Sequence, residues 1–260
     1  PLSSISYALA DQLKLGLRHS NIRFVNRAGH ESTTLATADS FALGRLEAQS
    51  VTFLVEGEHN GNAASAPDTP AGTLGADFLR AYDFDLDFDT GRMNLFSRDH
   101  CAGDVVYWKS ATLAALPMIV RDDGKISFTM KLDSHDLQTV LDTGSARSAL
   151  SARVAAQTYG IDNDSAGNNI VGNVAGNTLY AHPFKTLSVD GVTISNPRIV
   201  LMPDLADEKL GPGLGRRGAL FRPAHAQQPD FSLGMAELRH LHIYIDYRDQ
   251  MVYLSPGGGG

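Results

Sequence analysis

Four consecutive residues, Asp142, Thr143, Gly144 and Ser145, are the stretch of this chain best equipped for chemistry. A carboxylate at the end of an apolar run is costly to bury unless hydrogen bonds or a function offset the cost. Here the means of holding it lie beside it. Gly144 lets backbone come close, and the Ser145 hydroxyl and nearby N–H groups can donate to the ionised form. The chemistry open to such a group is proton transfer. As a bare tripeptide, Asp-Thr-Gly equally suits a strand-to-turn junction with a capping Asp. The lead-in argues for more than a cap. Across residues 137–150, LQTVLDTGSARSAL, positions Leu137, Thr139 and Leu141 alternate and Val140 fills the other face. This reads as a buried strand that delivers Asp142. A short helical-looking segment, 149–159, follows it.

With V-L-D-T-G-S at 140–145 and an apolar–Gly pair at Leu233-Gly234, the chain resembles the pepsin-like and retropepsin-like aspartic proteases. The resemblance implies an all-β fold of two related β-rich lobes with an active-site cleft between them. It implies an aspartic endopeptidase acting on a peptide or protein substrate held extended across that cleft. Asp142 would be one of two carboxylates that share a proton and activate a water. Thr143 would tie the two active-site loops together, and Ser145 would hydrogen-bond the carboxylate. No metal and no cofactor is implied. Two carboxylates this close cannot both ionise, so their titration belongs to the pair.

The chain departs from that pattern in offering one credible catalytic Asp. Three explanations follow. The partner Asp lies upstream of Pro1; or Asp142 pairs with its own copy in a homodimer, as in retropepsins; or the chain is a pseudo-protease that binds peptides or inhibits a partner without cleaving.

Composition bounds the remainder. At 260 residues the chain suffices for one large domain or two medium ones. A net charge of −7 argues against nucleic acid or an anionic membrane surface as partner. The lone cysteine, Cys101, excludes an internal disulfide and a cysteine zinc site. No apolar run is long enough to span a bilayer, and membrane association is not indicated. Export, periplasmic or extracellular, is the localisation the family resemblance favours.

The chain also repeats itself. LGADFLRAYDFDLDFD at 74–89 aligns with LGMAELRHLHIYIDYR at 233–248, each copy continuing through a half-buried alternating strand into a hairpin partner. Upstream, 3–17 lies against 147–161 without gaps, pairing Ser4 with Ser148 and Gly16 with Gly160. Further along, Gly44 falls on Gly191. By that register Pro1 lies opposite Ser145, so a second D-T/S-G is expected just upstream of Pro1. The domains read as an N-terminal lobe at 1–97, a connection at 98–115, a C-terminal lobe at 116–256 and a flexible glycine tail at 257–260.

Two further motifs are decoys. Asp89-Thr90-Gly91 follows the alternating strand and reads as a hairpin turn, and Asp68-Thr69-Pro70 sits in loop composition. GPGLGRRG at 211–218 lacks the strand and the Lys-Ser/Thr of a phosphate loop and reads as a surface loop. His240 and His242 point the same way from one strand but have no third ligand, so a solvated face is expected. Segments 26–37 and 173–184 occupy the place of the family's flap, with Ala28, Gly29, His30, Gly176 and Tyr180 as candidate substrate contacts. Phe184 is a candidate for a peptide contact or for the core.

Overall fold

The computed structural model describes residues 2–25, 31–57, 70–99, 103, 105–174, 177–203 and 229–257. It is an all-β protein with few and short helices. The chain divides into two units, the first ending at Arg80 and the second beginning at Ala81.

In the first unit, β1 (Ser4–Ser6) leads into α1 (Tyr7–Gln12), whose N-terminus is capped by the Ser6 hydroxyl accepting from the Leu9 N–H. Then come β2 (Gly16–Val25), β3 (Glu31–Leu43), β4 (Leu46–Glu56), β5 (Gly72–Thr73) and α2 (Ala76–Leu79). The sheet order is β2-β3-β4-β1-β5, with β1 parallel to β4 and antiparallel to β5. Ile5, Ala10, Ala36, Phe53 and Val55 form its core.

The second unit opens with the hairpin β6 (Asp83–Asp87) and β7 (Arg92–Phe96), then β8 (Ala114–Pro117) and β9 (Ile119–Val120). β10 (Ile126–Leu132) buries Ile126, Phe128, Met130 and Leu132 as their alternation predicts. It turns into β11 (His135–Leu141), followed by β12 (Ala149–Ser151) and α3 (Ala152–Val154), which continues as a π-helical turn through Tyr159. β13 (Asn169–Val174), β14 (Asn177–Pro183), β15 (Thr186–Val189), β16 (Val192–Ser195) and β17 (Arg198–Met202) come next. β18 (Phe231–Leu233), α4 (Met235–Leu238), β19 (Leu241–Asp246) and β20 (Met251–Pro256) complete it. Among the described residues one sheet runs β13-β14-β17-β12-β18-β11-β10-β15-β16, with β9 beside β10, and a second runs β7-β6-β19-β20-β8.

The hairpin β6–β7, grouped with the first copy by sequence, thus belongs to the second unit, where β6 pairs with β19. Asp85 lies opposite Tyr244 and Phe84 opposite Ile245. Asp85 and Tyr244 are also each other's counterparts in the 74–89/233–248 alignment, so the ladder maps onto itself when the copies are exchanged. The helices α2 and α4 share the same extended glycine N-cap, Gly75 at φ −98° and ψ 178° and Gly234 at φ −104° and ψ 179°. Gly44 and Gly191 both occupy hairpin turns with positive φ, 61° and 86°.

The upstream register needs correction. Ser4 and Ile5 pair in parallel with Leu54 and Val55, as Ala149 and Leu150 pair with Val200 and Leu201. Ser6 caps α1 as Ser151 caps α3. The equivalent of Ser148 is therefore Ser3, one residue from the gap-free match. The π turn Ala155–Tyr159 holds one extra residue, so the left-handed Lys14 (φ 53°) matches Gly160 (φ 66°) instead of Gly16. Residues 149–151, expected to be helical, are strand because they slot between β17 and β18.

The strands β6 and β19 are covered on both faces instead of one. Asp83, Asp85 and Asp246 have no exposed surface; Asp83 Oδ1 accepts from the Tyr247 N–H at 2.6 Å and Asp246 Oδ1 from the Asp249 N–H at 2.8 Å. Asp85 accepts from Tyr107 Oη at 2.6 Å and Asn94 Nδ2 at 2.8 Å, and lies 2.5 Å from His242 Nε2. His242, expected on a solvated face, is instead stacked on Trp108 at 3.9 Å. Trp108 is pinned in turn by its indole N–H donating to Ser255. Tyr107→Phe is expected to lower stability by about 1–2 kcal/mol by removing one donor from a buried carboxylate. Urea denaturation monitored by Trp108 fluorescence checks this.

Candidate functional site

The site is built where β11 ends. Both neighbours of β11 are in place, β10 antiparallel and β18 parallel, and this buries Leu137, Thr139 and Val140 on its two faces. The next residue, Asp142, is 9% exposed, with its N–H donating to Leu233 O at 2.9 Å. The chain then turns tightly, the Ser145 N–H donating to Asp142 O at 3.1 Å. This turn brings donors back onto the carboxylate. Gly144 N–H reaches Asp142 Oδ1 at 3.2 Å and Ser145 Oγ reaches Oδ2 at 3.1 Å. A Cβ on Gly144 would stand 3.4 Å from Oδ1, at ordinary van der Waals contact. Thr143 is exposed beside them.

A further hydroxyl was not singled out from the sequence. Ser232 Oγ lies 3.4 Å from Asp142 Oδ2. Phe231 and Leu233 point into the core, so Ser232 faces the other way, toward the aspartate. That three-residue alternation was a readable signal, overshadowed by the Leu-Gly pair beside it.

Beneath the turn lies a brace. Met235 and Ala236 N–H donate to Ser145 O and Ala146 O at 2.8 and 3.0 Å. Ser148 Oγ accepts from Gly234 N–H at 2.8 Å and donates to the buried carboxylate of Glu237. Gly234 lies so close to the turn that a Cβ would be 2.4 Å from the Arg147 carbonyl carbon and oxygen. The first unit repeats the brace: Gly75 N–H donates to Ser3 Oγ at 3.0 Å, and Ser3 Oγ donates to Asp77 at 2.7 Å.

Burial pushes the Glu237 carboxyl above its ordinary value of 4.5, and the Ser148 hydrogen bond only partly opposes this. A carboxyl raised on folding binds its proton more tightly in the folded state. Its stability contribution is therefore full below the unfolded value and lost as pH climbs through the folded one. Glu237→Gln is expected to remove that decline above pH 4.5, as thermal melts of both proteins across pH 4–8 would report.

Of the other candidates, Tyr180 sits half-buried on β14, opposite Ile170 of β13 and Leu201 of β17. β13 and β14 pair antiparallel across the stretch 169–183. Ala28, Gly29, His30 and Gly176 lie outside the described residues, as do Asp68, Thr69, Cys101 and 211–218. Phe184 is a core residue at 4% exposure, packed edge-on against Tyr159 and His182. Asp89 and Gly91 form the β6–β7 turn, where Asp87 accepts from the Asp89 and Thr90 N–H groups. No group of metal-ligating side chains occurs among the described residues, and no helix there is long and apolar enough to cross a membrane.

Residues 128–237 match the model of a family described as Aspartyl protease. The matched stretch runs from β10 through the Leu-Gly pair into α4 and includes Asp142. Among solved structures, a retropepsin-like aspartic protease from Rickettsia conorii is similar at 16% identity, covering 58% of this chain and 96% of that one, with a TM-score of 0.38. Conglutin gamma, a basic 7S globulin from lupine seeds, is similar at 12% identity over 91% of this chain and 72% of that one, TM-score 0.47. Basic 7S globulin from soybean is similar at 12% identity, covering 90% and 71%, TM-score 0.41. Comparison with curated proteins by sequence finds no match.

Proposed function

We propose that this protein is an aspartic endopeptidase in which Asp142 is one member of a carboxylate pair. The observation that carries the reading is the placing of Asp142: nearly buried, at a strand end, with three donors converging on its two oxygens. Those donors fix both carboxylate oxygens in place, the positioning that a general base requires. In the proposed reaction the ionised member of the pair takes a proton from water as its oxygen attacks the peptide carbonyl carbon. The protonated member gives its proton to the carbonyl oxygen. The tetrahedral adduct then collapses, breaking the C–N bond while a proton passes to the leaving nitrogen. The peptide would lie extended beneath the β13–β14 hairpin, with Tyr180 a candidate contact.

The sheet topology suggests where the second carboxylate would enter. In the second unit β18 has β12 on one side and β11, the strand that carries Asp142, on the other. In the first unit β5 has β1 on one side, and its other edge is unpaired among the described residues. A strand ending in a second D-T/S-G and added to that edge would repeat the Asp142 arrangement, and we favour this source over a homodimer.

Calorimetric titration of the complete protein with pepstatin, a transition-state mimic, tests the pair. Binding should be tighter than that of a comparable substrate peptide and should be lost in Asp142→Asn. Equal affinity for mimic and peptide, unchanged by the substitution, would favour a peptide-binding module without catalysis.

A further inference from the structure

The second unit has a cavity of about 510 Å³ whose lining includes Arg147, Arg198, Arg239 and His240. Among the described residues no carboxylate lies within ion-pair distance of any of the three guanidinium groups. In a chain of net charge −7, these three exposed arginines gather positive charge around one cavity. The one acidic side chain among the lining residues is Glu237, and it is turned away from this role. It is 5% exposed, holds the Ser148 hydroxyl, and burial favours its protonated form. Arg198 is held in place by Asn169, whose amide oxygen, turned toward it, accepts from the guanidinium. Asn169 thereby leaves the remaining Arg198 N–H donors for something else.

We propose that this cavity is a binding site for an oxyanion, a phosphate group or a clustered pair of carboxylates, gripped by Arg147, Arg198 and Arg239. Planar guanidinium forks suit such groups because they donate two parallel hydrogen bonds to a pair of oxygens. The cavity volume leaves room for a group larger than a single inorganic ion. The site also has a route to the Asp142 turn. Arg147 follows Ala146, whose carbonyl accepts from Ala236, and Arg147 backbone packs on Gly234. An anion that draws Arg147 toward Arg239 therefore pulls on the backbone that braces Ser145 and Asp142. The site stands whether or not Asp142 is catalytic, because its test reads binding.

The test is calorimetric titration with pyrophosphate and, separately, with an acidic peptide of four glutamates, at low and at 0.5 M salt. Both titrations are run on the natural protein and on the double variant Arg198→Ala/Arg239→Ala. Both altered side chains are exposed and lie outside the Asp142 hydrogen bonds, and a circular dichroism melt confirms that the variant folds. Saturable binding of either probe, weakened at least about tenfold in the variant and by high salt, supports the site. Binding of pyrophosphate alone points to a free phosphate ligand, and binding of the peptide alone to an acidic segment of a substrate or partner. Absence of binding by both probes, or equal binding by both proteins, overturns the proposal.

Discussion

Asp142→Asn is expected to lower peptide hydrolysis by the complete protein by roughly 10²–10⁴-fold or more, without unfolding it. An amide is isosteric with the carboxylate and can still meet Ser145 and Ser232, so the fold survives. It cannot take and return a proton. The same change at the other Asp-Thr-Gly, Asp89→Asn, is expected to leave the rate within about twofold, since surface turn substitutions act weakly. There Asp89 sits in the β6–β7 turn, and the carboxylate that organises the turn belongs to Asp87. Cleavage of a fluorogenic peptide by the two variants, each checked by circular dichroism, decides the matter. Comparable losses from both would refute the assignment of Asp142 as the acting group.

The second large effect is expected in stability. Gly234→Ala would place a methyl group 2.4 Å from the Arg147 backbone carbonyl, where no rotamer change relieves the clash. A loss of roughly 3 kcal/mol or more is expected, at the upper end of overpacking costs. Gly172→Ala is the control. A Cβ there meets nothing within 4 Å, and a change within about 0.5 kcal/mol is expected. Urea midpoints of the two variants give the comparison, and similar midpoints would mean that the Leu-Gly crossing yields more than its geometry implies.

The strand to Asp142 was legible because alternation and a polar terminus are local signals. The donors Gly144 and Ser145 were legible because they are neighbours in the chain. The Ser148–Glu237 brace was not, because its ends are 89 residues apart and nothing local marks a Glu as buried; the alternation at 231–233 indicates which way Ser232 faces, but not that Asp142, 90 residues away, lies there. The upstream register slipped by one because Ser3-Ser4 and Ser148 offer two equally good matches. Only strand pairing, Ser4 with Leu54 and Ala149 with Val200, separates them. The burial of His242 has no local signal either. Its partner Asp85 lies 157 residues away, and period-two alternation says nothing about what covers the polar face.

The β6–β19 ladder, which maps onto itself when the copies are exchanged, carries one further implication. In a symmetric dimer every substitution at such a seam would be made twice, and His242 against Asp85 would oblige an identical pair at the related place. A single chain that carries both strands escapes that obligation. Where exchange would demand a second histidine it has Asp83, and where it would demand a second Asp85 it has Tyr244. Burial and then the charge of Asp83 hold that tyrosine's phenol well above its ordinary value. Carrying both strands in one chain thus lets each side of the seam differ, placing the histidine–carboxylate contact on one side only.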